Sequence, residues 1–274
     1  MNPTAVGVAD LQQMKVARRK IACVVAWDTQ MARIADRAGV DMVSVGDSVG
    51  MNLWGHANPE QITLEEMLIV CKAVRRGVKR ALLSADVPYG PMQQGVGATV
   101  AAATRMVKEG GADMVKLDAA AEFPDAVRAV VQAGIPVFAQ FGITQQIAQQ
   151  YGFAYRAAPD RELPAELVAR LVEDAMRMQE AGAAFIDFYN SGPVAGPATV
   201  AAVSIPVIGG FGGGPWLDGR MRMMHAAIGY AESNIDKPAG NYGNVAQLTM
   251  DAMLAYGEDV RAARQLPVPG INQS

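Results

Sequence analysis

Eight short apolar runs, separated by stretches with helical spacing, constrain this chain more than any other feature. They are IACVVAWD from Ile21, MVSVGDS from Met42, ALLSADVP from Ala81, MVKLDA from Met114, IPVFAQFG from Ile135, AFIDFYN from Ala184, IPVIGGFG from Ile205 and a weak last one near AAIGY from Ala226. Nearly continuous apolar strands alternating with helices imply a parallel sheet covered on both faces. About eight βα units is the unit number of a TIM barrel. The predicted fold is therefore α/β, a (β/α)8 barrel with an N-terminal helical extension, forming a single domain over residues 1–274.

The intervening segments agree. TVAAATRMVKEGG places Val100, Thr104 and Val107 on one helix face and stops at Gly110-Gly111. LVARLVEDAMRMQEAG turns Leu167, Leu171, Ala175 and Met178 inward and stops at Gly182. A doubly wound sheet is the rival, but no Gly-x-Gly-x-x-Gly opens the first helix and no shift in composition marks a second domain.

Composition narrows the partners. Lys plus Arg number 24 against 27 Asp plus Glu, a formal charge of -3, which lacks the basic stripe that grips nucleic acid. The expected ligand is a small molecule. Cys23 and Cys71 lie in apolar runs, the setting of buried free thiols in a reducing compartment. The N-terminus has no apolar signal core, so a cytoplasmic location is expected. The uncharged stretch from Phe188 to Leu217 carries four prolines and a glycine cluster, which would break a spanning helix, and reads as loop, helix, strand and loop. No membrane partner is expected.

In a barrel of this type the chemistry sits at the C-terminal strand ends. In order, those ends carry Asp28, Asp47-Ser48, Asp86, Lys116 and Asp118, Gln140, Asp187 and Tyr189, then the glycine-rich GGFGGGPW. Converging carboxylates repel one another unless a cation or shared protons offset the charge. Asp47, Asp86 and Asp118 are the best-placed trio for Mg²⁺ or another divalent ion, which takes few carboxylates and keeps several waters. For any single aspartate the competing role is helix capping. Lys116 and Asp118 share a face, as do Asp187 and Tyr189, by the two-residue period of a strand. Lys116 neutralises either a substrate carboxylate or a neighbouring barrel aspartate. His56 and His225 are the only histidines, and lone histidines more often serve structure than catalysis, so no triad is expected from them. The glycine-rich stretch precedes no Lys-Ser/Thr, so it is no nucleotide P-loop. It is either an anion-facing loop of exposed backbone N–H groups or a plain flexible βα connection, with Trp216 covering a substrate or packing on the rim.

These residues resemble the ketopantoate hydroxymethyltransferase (3-methyl-2-oxobutanoate hydroxymethyltransferase) family of the phosphoenolpyruvate/pyruvate barrel superfamily. VGDSVGM, the GH of WGHANP, AVRRG, LLSADVPY, GADMVKLD, the G-T-Q frame of FGITQQ, AGA and IPVIG fall in the family's order from about Met14 to about Ala263. The resemblance implies a divalent cation, a 2-oxo acid chelated through its carboxylate and keto oxygen, and 5,10-methylenetetrahydrofolate as one-carbon donor. It implies Asp47 and Asp86 as metal ligands with Asp118 as third acidic residue, and Asp47, Ser48, Asp86 and Lys116 as substrate contacts. It also implies a homo-oligomer, often a decamer. Three positions depart from the family. Asp118 replaces a glutamate, Gln140 a histidine, and Tyr189 the general-base glutamate, leaving Asp187 as the nearby carboxylate able to replace it. The family reaction, a metal-dependent aldolase or lyase in which Tyr189 donates a proton, and a non-enzymatic binding barrel are the three readings this leaves.

Overall fold

A computed structural model describes residues 5–155, 163–210, 213–237 and 240–265. Eight parallel strands close into a barrel in chain order: β1 (Ile21–Val25), β2 (Met42–Val45), β3 (Leu82–Asp86), β4 (Met114–Leu117), β5 (Val137–Gly142), β6 (Phe185–Tyr189), β7 (Val207–Gly209) and β8 (Gly219–Met223). The TIM-type barrel expected from the repeating pattern is thus present. Strands β2, β3 and β4 are buried on both faces, which is why they read as unbroken apolar runs.

The eighth strand lies before AAIGY, whose Ala226 and Ala227 belong to helix α11 (Met224–Ala227). The strand is instead GRMRM, where Gly219 and Met221 are buried while Arg220 and Arg222 are exposed. Alternation with arginine breaks the apolar run that marks the other strands. The glycine is required there, because a side chain on Gly219 would press into the Ile21 backbone of β1.

The N-terminal extension is α1 (Val8–Val16). Its Leu11 and Met14 join Met42, Leu82, Met114, Phe138, Phe185, Ile208 and Met221 in one buried cluster, so the helix plugs the N-terminal end of the barrel. Lys15 ties it down through Asp218 at 2.9 Å and the Val200 and Ile205 carbonyls. The plugged end is the apolar one, and the opposite end is left for polar residues.

The helices between the strands are α2 (Thr29–Arg37), α3 (Val49–Leu53), α4 (Leu64–Gly77), α5 (Tyr89–Gln93), α6 (Val96–Lys108), α7 (Pro124–Gln132), α8 (Gln145–Gln150), α9 (Ala165–Glu180) and α10 (Gly192–Ala202). In α9 the inward residues are those expected, Leu167, Leu171, Ala175 and Met178, joined by Asp174. In α6 the buried stripe is Thr99, Ala102, Ala103 and Met106, not Val100, Thr104 and Val107, which are half-buried. Small residues let this helix lie close to the barrel, so alanine defines the face and the larger valines flank it. Cys23 and Cys71 are buried free thiols, and burial pushes the Cys71 thiol up to about 12.

The chain groups into two compact units, Met1–Arg222 and Met223–Ser274. All the strand-end residues named above belong to the first. The second holds α11 and α12 (Val245–Arg261). Among the described residues, no helix is long and apolar enough to cross a membrane.

Candidate active site

The polar residues of the barrel begin one pleat above the apolar cluster. Ser44 and Ser84 stand two residues beyond Met42 and Leu82, are fully buried, and share a hydrogen bond of 2.7 Å. Lys116 and Asp187 stand two residues beyond Met114 and Phe185. Asp86 is the register partner of Lys116 across β3 and β4. Strand pairing therefore puts the lysine beside one carboxylate, and closure of the barrel brings it to a second.

Lys116 Nζ lies 3.1 Å from Asp86 Oδ2 and 3.6 Å from Asp187 Oδ2, with all three side chains at most 7% exposed. Burial alone would drive the ammonium to give up its proton, but Asp86, then Asp187 and Asp47, overcome that and raise its pKa. It stays charged. Burial raises the carboxyls of Asp86 and Asp187, with Lys116 acting against it. One lysine cannot neutralise both. Asp86 Oδ1 and Asp187 Oδ1 are buried with no hydrogen-bond donor, which leaves two acceptors facing an unmet demand for positive charge or a proton.

Asp47 follows β2, its backbone N–H donating to Asp86 Oδ2 at 3.1 Å. Its own carboxyl is pushed up to about 7, by burial first and then by Asp86, with Lys116 opposing and Asp118 adding to the rise. Gly46 makes this approach possible, since a side chain there would meet Ser48 Oγ, Val25 and Asp86. The Ser48 N–H supports the Asp47 carboxylate, so Asp47, Ser48, Asp86 and Lys116 form one connected group. Asp118 stands at its edge. It is exposed and its Oδ1 accepts from the Ala119 N–H at 2.7 Å, where Ala119 turns with φ 49°. Among the described residues no three His, Cys, Asp or Glu side chains converge within ligating reach. The donor set that the fold assembles is Asp47 with Asp86, whose orphaned Oδ1 and raised neighbour suit a hard cation that fills its remaining positions with water or ligand oxygens.

Other strand-end residues have different duties. Asp28 caps α2, accepting from the Met31 N–H at 2.8 Å. Gln140 is the register partner of Asp187 and is half-buried. His56, in the loop after α3, lies 3.4 Å from Glu66 and stacks on Trp54. Trp216 packs against Gly196 of α10 and Gly214, its indole N–H reaching Ser191 Oγ at 3.5 Å, so it serves the rim. Within GGFGGGPW, Phe211 and Gly212 lie outside the described residues, while the Gly210 backbone acts against the rise in the Asp187 pKa.

Tyr189 ends β6 on the same face as Asp187, half-buried. Burial, then Asp118, Tyr155 and Asp187, raise its phenol above the ordinary range, so it holds its proton. Beyond it Asn190 is fully buried in the left-handed region at φ 51°, its Nδ2 donating to the Ile143 carbonyl at 3.3 Å and its Oδ1 without a donor. Asn190 and the Ser44–Ser84 pair escape a reading by strand ends. Their signal is a polar residue inside or directly after an apolar run.

A family model described as ketopantoate hydroxymethyltransferase matches residues 5–267. A 3-methyl-2-oxobutanoate hydroxymethyltransferase of Geobacter sulfurreducens is 37% identical over 96% of this chain and 96% of its own length. One of Paenarthrobacter aurescens is 36% identical over 96% of this chain and 85% of its own. Among solved structures, an oxaloacetate acetylhydrolase in complex with 3,3-difluorooxalacetate superposes with a TM-score of 0.61 at 14% identity, covering 97% of this chain and 100% of that one. A 2,3-dimethylmalate lyase of the PEP mutase/isocitrate lyase superfamily gives 0.61 at 15% identity, covering 99% and 92%. These two share the fold. The full-length family match and the relatives above 30% identity establish more: this chain belongs to the ketopantoate hydroxymethyltransferase family.

Proposed function

We propose that the protein transfers a hydroxymethyl unit from 5,10-methylenetetrahydrofolate to 3-methyl-2-oxobutanoate, with Asp47 and Asp86 holding Mg²⁺ or a similar divalent ion. The observation that carries this reading is the buried row Asp86–Lys116–Asp187, with an unpartnered oxygen on each carboxylate. A divalent ion at Asp47 and Asp86 would supply a Lewis acid beside the keto oxygen of the substrate. Asp86 carries negative charge toward that ion. Lys116 keeps its proton and holds Asp86 and Asp187 in place while its charge faces the anionic substrate. Asp187, the buried carboxylate beside Lys116 with an unpartnered oxygen, removes the proton on C3.

Hydrogen–deuterium exchange at C3 of 3-methyl-2-oxobutanoate in D₂O, followed by NMR, tests the reading. Exchange should require Mg²⁺ and be lost in Asp47→Ala. Absence of exchange in the wild-type protein with any divalent ion would sink it.

The same site gives a pH-dependent metal effect. Asp47 has a native pKa of about 7, above the ~3.9 of an unperturbed aspartate. Its proton therefore favours the folded state fully below about pH 4, and that contribution is lost as pH rises through 7. A cation needs the charged carboxylate. The rise in Tm on adding Mg²⁺ should be larger at pH 8 than at pH 5, and smaller in Asp47→Asn. Equal rises at both pH values would count against a cation held by Asp47.

A further inference from the structure

His56 lies away from the strand ends, yet its ring is tied to the turn that carries Asp47. That turn runs from β2 into α3, a helix of 5 residues, too short to hold its own shape. The Gly50 N–H donates to the Asp47 carbonyl at 3.0 Å, and the Gly50 carbonyl accepts from the His56 N–H at 3.0 Å and the Trp54 N–H at 3.3 Å. The imidazole fills the space that a side chain on Gly50 would need, since a Cβ there would come within 2.9 Å of His56 Nδ1 and 3.2 Å of Ile62 Cβ. A displacement of the ring therefore reaches Asp47 through Gly50.

The far edge of the ring is anchored to rigid structure. His56 Nε2 lies 3.4 Å from Glu66 Oε1. Glu66 closes the capping box of α4, its Oε2 accepting from the Thr63 N–H and hydroxyl, each at 2.8 Å. Helix α4 is itself held by buried Met67, Val70 and Val74. On its face the ring stacks with Trp54, the centroids 6.4 Å apart. Nδ1, the edge against Gly50, is buried with no hydrogen-bond partner among the described residues. An unpaired buried nitrogen opposes folding, so the fit against Gly50 and the attraction to Glu66 keep the ring there, not a bond at that edge.

We infer that His56, braced by Glu66, is a positioning residue for Asp47: it holds the turn after β2 in the shape that lets Asp47 join Asp86 on a divalent cation. This role depends on the cation at Asp47 and Asp86 proposed above. His56 itself touches neither the ion nor the substrate; its effect passes through Gly50 to the backbone of Asp47.

The test titrates the whole protein with Mn²⁺ and follows the free ion by its electron paramagnetic resonance signal, well below the unfolding midpoint of every variant. In His56→Ala the Mn²⁺ dissociation constant should rise about 10-fold, the lower end of the range for losing a residue that orients a metal ligand. His56→Gln, whose amide can reach Glu66 across the same space, should bind nearly as wild type. A His56→Ala protein that melts earlier but binds Mn²⁺ with the wild-type constant would overturn the inference and leave His56 a packing residue. So would a His56→Gln protein that binds no tighter than His56→Ala. If His56→Ala does not fold, Glu66→Gln takes its place, keeping an oxygen for the Thr63 cap while losing the charge that faces the ring. Its affinity should also fall, and an unchanged constant would overturn the inference. Absence of Mn²⁺ binding in the wild type would overturn the cation reading and this inference with it.

Discussion

Lys116→Ala is expected to destabilise the fold by about 3–5 kcal/mol at pH 8, the range found when one partner of a buried ion pair is removed. The reason is the charge balance of the row. Lys116 is the cation between Asp86 at 3.1 Å and Asp187 at 3.6 Å, and both carboxylates are almost fully buried. Without it, two negative charges remain in a barrel interior, Asp86 supported by the Asp47 N–H. The loss should shrink at pH 5. Both carboxyls already have raised pKa values, and removing the ammonium raises them further, so acid supplies the protons that replace the lost charge. Urea denaturation at the two pH values measures this. Combining Lys116→Met with Asp187→Val should recover part of the loss, because one buried charge then remains instead of two. A loss below about 1 kcal/mol at pH 8 would mean the pair behaves as an exposed salt bridge and that water reaches the row freely.

The second large effect is catalytic. Asp187→Asn should lower C3 exchange by about 10²–10⁴-fold, the usual contribution of a positioned base. The amide keeps the shape and removes one of the two buried negative charges, so folding should be affected less than in Lys116→Ala. Mg²⁺ binding, read by Tm, should persist because Asp47 and Asp86 are untouched. In wild type the exchange rate should rise with pH along a limb displaced above the ordinary carboxylate range, since Asp187 acts as a base only once ionised. If Asp187→Asn exchanges at the wild-type rate, the base is another group and Asp187 serves only to position Lys116.

The fold is legible in the sequence because strands buried on both faces announce themselves locally. MVSV and LLSAD are apolar runs bounded by glycine and proline, and helices such as α9 show their inward face by spacing. GRMRM escapes such a reading because one of its faces is wet, which breaks the run. The inward face of α6 escapes it by one residue because alanines, which signal burial weakly, form its contact stripe.

The candidate site divides along the same line. The strand-end positions of Asp47, Asp86, Lys116, Asp187 and Tyr189 follow from where each apolar run stops, so the sequence alone determined which residues reach the mouth. Which of them interact was decided by the tertiary structure. Asp28 turns to its own helix and Asp118 to its own loop, while Lys116 pairs with Asp86 through strand register and with Asp187 through barrel closure. Helix and strand patterns depend on neighbours a few residues away, but a charge chooses its partner by distance and dielectric across elements that are far apart in the chain.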